Sequence, residues 1–559
     1  MGPSGFMMSN PGVVSLLSSG MARRLLALVV GAALTAACAA APAASPAPTQ
    51  GPPVPSRATS TATPGDIGRT DPTDSPTVSP SAPPEADGPS PASGLPPVLV
   101  PLVPVTGFWS SEQSITRSAL ATLLAGGSMR RVYVATADLP WLASLLRVTP
   151  GANVLALAPA DVLAAVRASP SSLGIVRADQ VVPSVRALAV GGVSLFGDGR
   201  VHDLAAWPLT ASEPAGSAAS TFDPSATWTL VAGGDVMLDR YVYRRTVVDR
   251  LGADYPWNGG NARITSTSCC GYPGYRISKA SASAAGTLRA YLRRQDLAIA
   301  NLEGPAPSTF VYHPSGLTFS MDPKLLVGLK NAGIDMVSLA NNHILNSGAA
   351  GISSTIKNLD ALGIKHAGAG ATSRAARQPA WLTAGRLKVA ILAYNAVGGA
   401  PNATSTSAGA AGLTLATASA DIRAARAAGA DVVIVFPHWG VEYTDRLNTQ
   451  QASLGPPLLK AGADAVIGGH SHWAGPIRVV GGKLIVYSMG DFVFDLMHDT
   501  RTQEGILVEL TFTGKRLSQV VLRPTFIVGA VQPGFLLPAY GGSALLNRIH
   551  AASKLAGMP

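Results

Sequence analysis

The sequence repeats one pattern from residue 228 onward: a short apolar run ends in a loop that carries polar side chains. The runs are Trp228–Val231, Asp296–Ala300, Asp335–Ala340, Asp431–Phe436, Ala465–Ile467 and Lys483–Tyr487. Segments with helical spacing lie between them, at 325–332, 418–428 and 454–463. Near-continuous apolar strands that alternate with helices are typical of a largely parallel sheet covered on both faces. We therefore predict an α/β domain over residues 226–530.

Side chains that can bind metals follow these strands. In α/β sheets, ligands bind beyond the carboxyl ends of the strands. The residues found there are Asp235, Asn301, Glu303, Asn342, His343, His438, His470 and His472, which include four of the nine histidines. Such groups suit divalent Mn, Fe or Zn, whereas a structural zinc site of the soft kind needs thiolates, and none of the three cysteines is near. Two ions about 4 Å apart can hold a phosphoryl group and activate a hydroxide.

Five motifs in a fixed order carry a resemblance to a known family. They are Gly234-Asp235-Val236-Met237, Asn301-Leu302-Glu303-Gly304, Leu339-Ala340-Asn341-Asn342-His343, His438-Trp439-Gly440-Val441-Glu442-Tyr443 and Gly469-His470-Ser471-His472. Together they resemble the bacterial CapA-like capsule-synthesis proteins of the poly-γ-glutamate group, which are similar to calcineurin-like metallophosphoesterases. The resemblance implies a layered α/β/β/α fold and a crevice for two divalent ions. It also implies a role in making or exporting an anionic capsule polymer.

The resemblance assigns roles to individual residues. The implied metal ligands are Asp235, Glu303, Asn342, His438, His470 and His472. Asn342 and His343 would act in catalysis, with His343 either a ligand or a general acid near the leaving group. Asn301, Trp439 and Tyr443 are the candidate substrate-binding residues. Asn301 is alternatively a ligand together with Glu303. Trp439 and Tyr443 are alternatively wall residues of the crevice.

Two departures from the superfamily pattern bear on activity. Met237 stands where phosphoesterases usually have histidine, which would weaken one metal site. Asn346 stands where the family tends to have aspartate, which would remove a partner that orients His343. We therefore expect a metal-dependent hydrolase, with two alternatives: a non-catalytic factor that binds the polymer or assembles the capsule, and a polyglutamate hydrolase or transferase that acts on an amide.

The N-terminal segment, residues 1–38, has the pattern of an export signal. Arg23 and Arg24 precede an apolar stretch that ends at Leu34-Thr35-Ala36-Ala37-Cys38, which resembles a bacterial lipobox. We predict a lipoprotein anchored to the membrane through Cys38, outside the cytoplasm; an uncleaved anchor and plain secretion are the alternatives. Other capsule-synthesis membrane proteins would be its partners, with an anionic polymer or a phosphorylated compound as substrate.

The rest of the chain divides by composition. Residues 39–104 are rich in Pro, Ser and Ala and are predicted to be a disordered linker. Residues 105–210 alternate short strands with helices, as in a small α/β domain, and residues 531–559 are taken as a C-terminal tail. Cys269 and Cys270 would form a vicinal disulfide or remain free thiols. The 42 Lys and Arg against 32 Asp and Glu give a net charge of +10, but no basic run carries interleaved aromatic residues, so we expect no nucleic-acid partner.

Overall fold

The computed structural model describes residues 98–213, 222–268, 277–282, 286–398 and 402–556. The export segment with Cys38, most of the predicted linker, and Cys269 with Cys270 lie outside the described residues. Within these described ranges, no helix is both long and apolar enough to cross a bilayer. We call residues 98–213 the N-terminal lobe and residues 222–556 the C-terminal lobe.

The N-terminal lobe is a six-stranded mixed sheet with three helices. Its strands are β1 (Val98–Gly107), β2 (Ser114–Ile115), β3 (Val132–Ala135), β4 (Val154–Leu157), β5 (Leu173–Arg177), β6 (Val185–Ala187), β7 (Ala189–Val190) and β8 (Thr210–Glu213), and its helices are α1 (Arg117–Leu124), α2 (Leu139–Leu146) and α3 (Pro159–Ala168). The order across the sheet is β4-β3-β5-β1-β6, and β8 pairs with the first half of β1. Strands β2 and β7 form a separate pair. Each helix buries two apolar side chains spaced by four residues against the sheet.

Strand β1 corrects the predicted limits of the linker and of the small domain. Residues 98–104 were assigned to the disordered linker, yet they form the first part of a strand at the centre of the sheet. That assignment rested on the Pro, Ser and Ala content of residues 39–104, because such a composition is typical of disordered segments. The strand contains two prolines, Pro101 and Pro104, which cannot donate to a ladder. The strand tolerates them because it changes partners: it pairs with β8 up to Pro101 and with β5 and β6 beyond it. The apolar side chains between the prolines are fully buried.

The C-terminal lobe contains two large sheets and one sheet of two short strands. Its strands are β9 (Thr227–Val236), β10 (Asn261–Ser268), β11 (Ile277–Ala282), β12 (Leu297–Leu302), β13 (Met336–Ser338), β14 (Lys365–Ala367), β15 (Ala369–Gly370), β16 (Ala380–Ala384), β17 (Leu387–Asn395), β18 (Gly409–Ala410), β19 (Val432–His438), β20 (Ala465–Ile467), β21 (Ile477–Val480), β22 (Lys483–Val486), β23 (Asp491–Val493), β24 (Glu504–Thr513), β25 (Arg516–Val528) and β26 (Gln532–Leu536). Its helices are α4 (Arg240–Tyr243), α5 (Thr287–Leu292), α6 (Leu326–Ala332), α7 (Gly348–Ala361), α8 (Ser373–Ala376), α9 (Leu415–Ala427), α10 (Thr449–Lys460) and α11 (Gly542–Leu555). One sheet has the order β11-β10-β26-β25-β24-β9-β12-β13-β14, with β23 also on β9, and the other has the order β16-β17-β19-β20-β22-β21.

The two sheets pack face to face between helical layers, as the resemblance implied. Leu230 of β9 and Ile434 of β19 belong to one core cluster between the sheets. The next residue in β9, Val231, belongs to the cluster that packs under α6 and α7, because successive side chains of a strand face opposite sides. Val433 of β19 faces α9 and α10 in the same way. The architecture is therefore α/β/β/α, with parallel strands at the centre of each sheet.

The predicted C-terminal tail is part of the fold. Strand β26 joins the larger sheet, and α11 packs on β21 and β25. Leu545 and Ile549 are fully buried and lie four residues apart, which is the spacing of one helix face. The domain therefore extends beyond residue 530, to the end of α11.

We expect Leu545→Ala to lower the free energy of unfolding by about 2–5 kcal/mol, because it leaves a cavity under α11. Leu555→Ala is a matched control on the same helix, since Leu555 is 76% exposed, and it should change stability by less than about 0.5 kcal/mol. Denaturant unfolding of both variants measures the difference. Equal, small losses would mean that α11 does not contribute to the folded core.

Candidate metal centre

The predicted site residues meet where the parallel strands of both sheets end. Asp235 lies near the end of β9, Asn301 in β12 and Glu303 just beyond it, Asn342 and His343 after β13, His438 at the end of β19, and His470 and His472 after β20. Strand β12 lies between β9 and β13 in one sheet, and β19 lies beside β20 in the other. Because neighbouring parallel strands end at the same edge, residues far apart in the sequence come together.

Glu303 lies at the centre of this cluster and is fully buried. Its Oε1 atom is 3.8 Å from Nε2 of His343, 3.9 Å from Nε2 of His472 and 4.0 Å from Nε2 of His438. Asp235, Glu303 and His472 each offer a ligand atom, and these atoms lie within 4.8 Å of one another. A carboxylate that faces several imidazoles and a second carboxylate has the position of a ligand shared by two ions.

A second group of ligand atoms surrounds His438. Its Nε2 is 2.9 Å from Oδ1 of Asn342, and its ring centre is 4.7 Å from that of His470. Asn342, His438 and His470 therefore form a second set of candidate ligands, which shares Glu303 with the first. The tautomer of each ring is assigned from its partners.

Two hydrogen bonds orient the histidines that face Glu303. The Nδ1 of His472 lies 2.8 Å from Oδ1 of Asp491, and the Nδ1 of His343 lies 3.0 Å from Oδ1 of Asn346. Each acceptor favours a proton on Nδ1 and leaves Nε2 to face the centre. The amide oxygen of Asn346 thus supplies the hydrogen bond that the sequence analysis expected to be lost with the aspartate. It also accepts a hydrogen bond from the backbone N–H of Phe319 at 2.8 Å.

Buried polar atoms without partners test whether these residues fit a metal. Both carboxylate oxygens of Glu303, Nδ1 of His470 and Oδ2 of Asp491 are buried and lack a hydrogen-bond partner. Each such group costs about 1–3 kcal/mol unless something compensates it. A bound cation compensates Glu303 and His470 directly, and the set of carboxylate, imidazole and amide donors suits a divalent ion of the borderline kind. The residues present therefore fit a divalent metal.

Burial controls the protonation of the acidic residues and of His472. It raises the pKa of Glu303 well above the usual value, with the nearby charge of Asp235 adding to the effect. Burial also raises the pKa of Asp235, and it raises that of Asp491 to about 7 although the charge of His472 opposes it. For His472, burial lowers the pKa, but the carboxylates led by Asp491 outweigh it and raise the value to about 10.

The other three histidines are neutral imidazoles at neutral pH. Burial lowers the pKa of His343 to about 4 and that of His470 to about 3, and the neighbouring histidines lower both further. Burial also holds the pKa of His438 well below its usual range. Neutral imidazole is the form that binds a metal, so these rings need no proton release on binding, whereas the carboxyl groups do.

The backbone of the Gly-His-x-His segment is bent. His470 and His472 have left-handed backbones with φ of 96° and 55°, so this segment is not an extended strand. Such values are uncommon outside glycine and mark locally strained backbone. Gly469 is required beside them, because a Cβ atom there would lie 2.6 Å from Oδ1 of Asp235. The surrounding fold holds this bend in place, and the bend brings both imidazole rings to the cluster.

Met237 is not part of the cluster. Its side chain is fully buried and packs with Phe319, Phe494 and Ile527. Its sulfur accepts a hydrogen bond from the backbone N–H of Asp239 at 3.1 Å. Apolar contacts therefore surround the side chain at the position where the resemblance implied a histidine ligand.

Two of the three candidate substrate-binding residues are corrected. Trp439 is fully buried in the layer under α9 and α10, and its Nε1–H donates to the carbonyl of Tyr487 at 2.9 Å. Asn301 is buried and donates from Nδ2 to Oδ1 of Asp235 at 2.8 Å, so it supports a ligand instead of facing substrate. Tyr443 alone is half-buried, and its ring stacks on His472 with centres 5.7 Å apart.

A neighbouring cluster was missed by the sequence analysis. Buried Asp239 lies with Oδ2 3.0 Å from Nδ1 of His313, and Arg240 forms an ion pair with Asp495. The guanidinium of Arg240 lies over the ring of Phe319, which stacks on His343 with centres 4.0 Å apart. The only sequence signal was the position of Asp239 and Arg240 in the loop that follows Asp235. His313 lies in no motif.

A layered α/β/β/α protein with a buried cluster of carboxylates and histidines at its strand ends is metallophosphoesterase-like in class. Residues 229–496 match the family model described as "Bacterial capsule synthesis protein PGA_cap". This matched region, which lies within the C-terminal lobe, is similar to this family of CapA-like proteins.

Curated relatives and solved structures have the following similarities. The chain is 26% identical over 289 residues to "Capsule biosynthesis protein CapA" of Bacillus anthracis, covering 50% of this chain and 63% of the relative. It is 32% identical over 188 residues to "PGA biosynthesis protein CapA" of Bacillus subtilis, covering 32% and 48%. The matches thus span about half to three-fifths of these relatives. A 5'-nucleotidase precursor from Thermus thermophilus has a TM-score of 0.33 at 13% identity, covering 59% of this chain and 58% of that one.

Proposed function

We propose that the C-terminal lobe is a divalent-metal-dependent hydrolase of the phosphoesterase type that acts in capsule-polymer biosynthesis. Its substrate is the anionic polymer or a phosphorylated compound of the same pathway. The observation that carries this proposal is the position of Glu303, whose two unpaired oxygens lie between two sets of candidate ligands. The family relationship supports the link to capsules of the poly-γ-glutamate type.

The candidate ligands would hold two ions, and His343 would carry out the proton transfer. Asp235, Glu303 and His472 would hold one ion, and Glu303, Asn342, His438 and His470 would hold the other. When bound, such ions polarise a phosphoryl oxygen and lower the pKa of a bound water. His343 carries an unprotonated Nε2 that faces the centre, so it can accept a proton there and return it to a leaving group. Asn346 positions this ring.

The location of the protein follows from the N-terminal sequence. We propose that residues 1–38 direct export and that Cys38 becomes a lipid anchor, so that both lobes work outside the cytoplasm near other capsule-synthesis membrane proteins. The apolar stretch before Cys38 supports this proposal.

A second candidate function is binding without catalysis. Met237 supports it, because apolar packing replaces one expected ligand. In that case the cluster would hold one ion or none and would grip carboxylates of the polymer.

Metal content distinguishes the two functions. We expect the purified chain to bind about two equivalents of Mn, Fe or Zn and to hydrolyse a bis-aryl phosphate. His470→Ala should lose at least one equivalent together with turnover, while the matched variant His366→Ala, on β14 away from the cluster, should keep both. Plasma mass spectrometry and single-substrate kinetics supply the readouts. Hydrolysis of a γ-linked glutamate oligomer without phosphoesterase turnover would support the amide-acting alternative, and metal-free, inactive protein after reconstitution would support the binding factor.

A further inference from the structure

A cleft separates the N-terminal lobe from the C-terminal lobe. It has a volume of about 740 Å³ and is lined by the end of β1 and by α3 on one side, and by β21 and α11 on the other. None of its lining residues belongs to the metal centre. We call it the interlobe cleft, and the residues used below are Trp109, Arg167, Arg478, His550 and Lys554.

The lobes that form the cleft are joined by direct hydrogen bonds. The backbone N–H of Ala187 donates to Oε1 of Gln519 at 2.8 Å, and Nη1 of Arg516 donates to the carbonyl of Val181 at 2.7 Å. These contacts link β6 and the segment before it to β25. The cleft is therefore a feature of a joined pair of lobes.

The charge of the interlobe cleft is entirely positive. Arg167, Arg478 and Lys554 line it, and no acidic residue does so among the described residues. Within the part of the chain that the structure describes, no carboxylate lies within ion-pair distance of these three cations. Arg167 donates to the hydroxyl of Ser184 at 3.2 Å, and Arg478 forms a hydrogen bond with the hydroxyl of Tyr487. Other arginines between the lobes are neutralised, as Arg294 and Arg523 are by Asp198. Three cations without counter-charges in one cleft attract an anion.

An aromatic floor accompanies these charges. The ring of Trp109 stacks on His550 with centres 4.7 Å apart and planes at 15°, and Phe108 meets Trp109 edge-on at 4.9 Å. All three rings are half-buried, so part of this surface remains open. The cleft therefore offers apolar contact area together with separated positive charges.

We infer that the interlobe cleft binds a segment of a linear carboxylate polymer. Its three cations come from three elements, α3, β21 and α11, and so lie at separate points around the aromatic floor. A chain whose carboxylates are separated by methylene stems places charge and apolar surface in this alternation. Arginine binds carboxylate with two parallel hydrogen bonds, and lysine acts as a point charge. The polymer's identity rests on the proposed function, whereas the preference for an anion with apolar stems rests on the cleft alone.

Binding of a short γ-linked glutamate oligomer tests this inference. Calorimetric titration of the purified chain should give binding that weakens with added salt, and Trp109 fluorescence should change on binding. In the double variant Arg167→Gln/Lys554→Gln, we expect the affinity to fall at least about tenfold. The matched control is Lys357→Gln/Arg423→Gln, which removes two exposed cations elsewhere in the C-terminal lobe and should retain the affinity.

Three outcomes would overturn the inference. They are an equal loss in both double variants, equal binding of an uncharged γ-linked glutamine oligomer, and equal or tighter binding of polyphosphate, which would make the ligand a phosphate polymer. The titration is repeated in Glu303→Gln protein, where the cleft is intact. Oligomer binding is expected to be retained in this variant. Oligomer binding by a wild-type protein that shows no turnover would mean that the hydrolase proposal fails while the cleft proposal stands, and turnover by a wild-type protein that does not bind the oligomer would mean the reverse.

Discussion

Glu303→Gln is expected to weaken metal binding and turnover at least about a hundredfold while it stabilises the metal-free protein. The loss follows because Glu303 is the one carboxylate shared by both candidate ligand sets, and even outer-shell changes cost 10–100-fold. The gain follows because burial disfavours ionisation of the Glu303 carboxyl group, whose oxygens lack hydrogen-bond partners, and the substitution replaces it with an amide that does not ionise. We expect the free energy of unfolding of the chelated protein to rise by about 1–3 kcal/mol at pH 8.

The gain should depend on pH in a defined direction. Burial raises the pKa of Glu303 in the folded protein, so the folded state holds a proton that the unfolded chain releases at about its ordinary pKa of 4.5. The stability that this proton contributes is present below that value and is lost as pH rises. Glu303→Gln should therefore change little near pH 4 and stabilise the metal-free protein increasingly above it.

Glu442→Gln is the matched control for this experiment, since Glu442 is exposed. It should change the stability of the chelated protein by less than about 0.5 kcal/mol. Denaturant unfolding with and without added metal supplies both readouts. A metal-free Glu303→Gln protein that is less stable than the metal-free wild type would contradict this prediction. It would show that the Glu303 carboxylate has favourable partners even when no metal is bound.

Asn346 variants should separate orientation of His343 from its protonation. Asn346→Leu removes the acceptor for His343 Nδ1 and for the Phe319 N–H, so kcat should fall about 10–100-fold with little change in KM. Asn346→Asp keeps an acceptor but adds a negative charge beside the ring. That charge raises the pKa of His343 from about 4, so the acid side of the pH–rate profile should move to higher pH.

The pH–rate profile is the decisive measurement for Asn346. A purely structural role would lower stability in both variants and leave the shape of the profile unchanged. Recovery of turnover in Asn346→Asp at raised pH would support the positioning role. An unshifted acid side in an active Asn346→Asp protein would contradict it.

Much of the site could be predicted from the sequence because parallel strands end together. That principle brings Asp235 and Glu303 to one edge of the larger sheet, whereas His438 of β19 joins them through the face-to-face packing of the two sheets. The error at Trp439 was avoidable, since a residue that follows an inward-facing histidine in a strand faces the opposite layer. The burial of Asn301 could not be predicted without knowing the three-dimensional positions of its two hydrogen-bond partners, Asp235 and His438.

Other features could not be read from local patterns. The pairing of Asp239 with His313 joins residues 74 positions apart, and that of Arg240 with Asp495 joins residues 255 positions apart. Strand β1 was hidden by two prolines, because its change of partner at Pro101 depends on β8, more than a hundred residues later. Its tertiary contacts outweigh the local preference of proline for extended, unpaired chain.

The central place of β1 has a mechanical consequence. This strand is the first described element after the linker, and neighbours hydrogen-bond to it along its length. A pull transmitted through residues before 98 would load those hydrogen bonds in parallel, in shear, instead of opening them one at a time as at a free sheet edge. A protein anchored through Cys38, as proposed above, would therefore resist force at the point where the chain enters the fold.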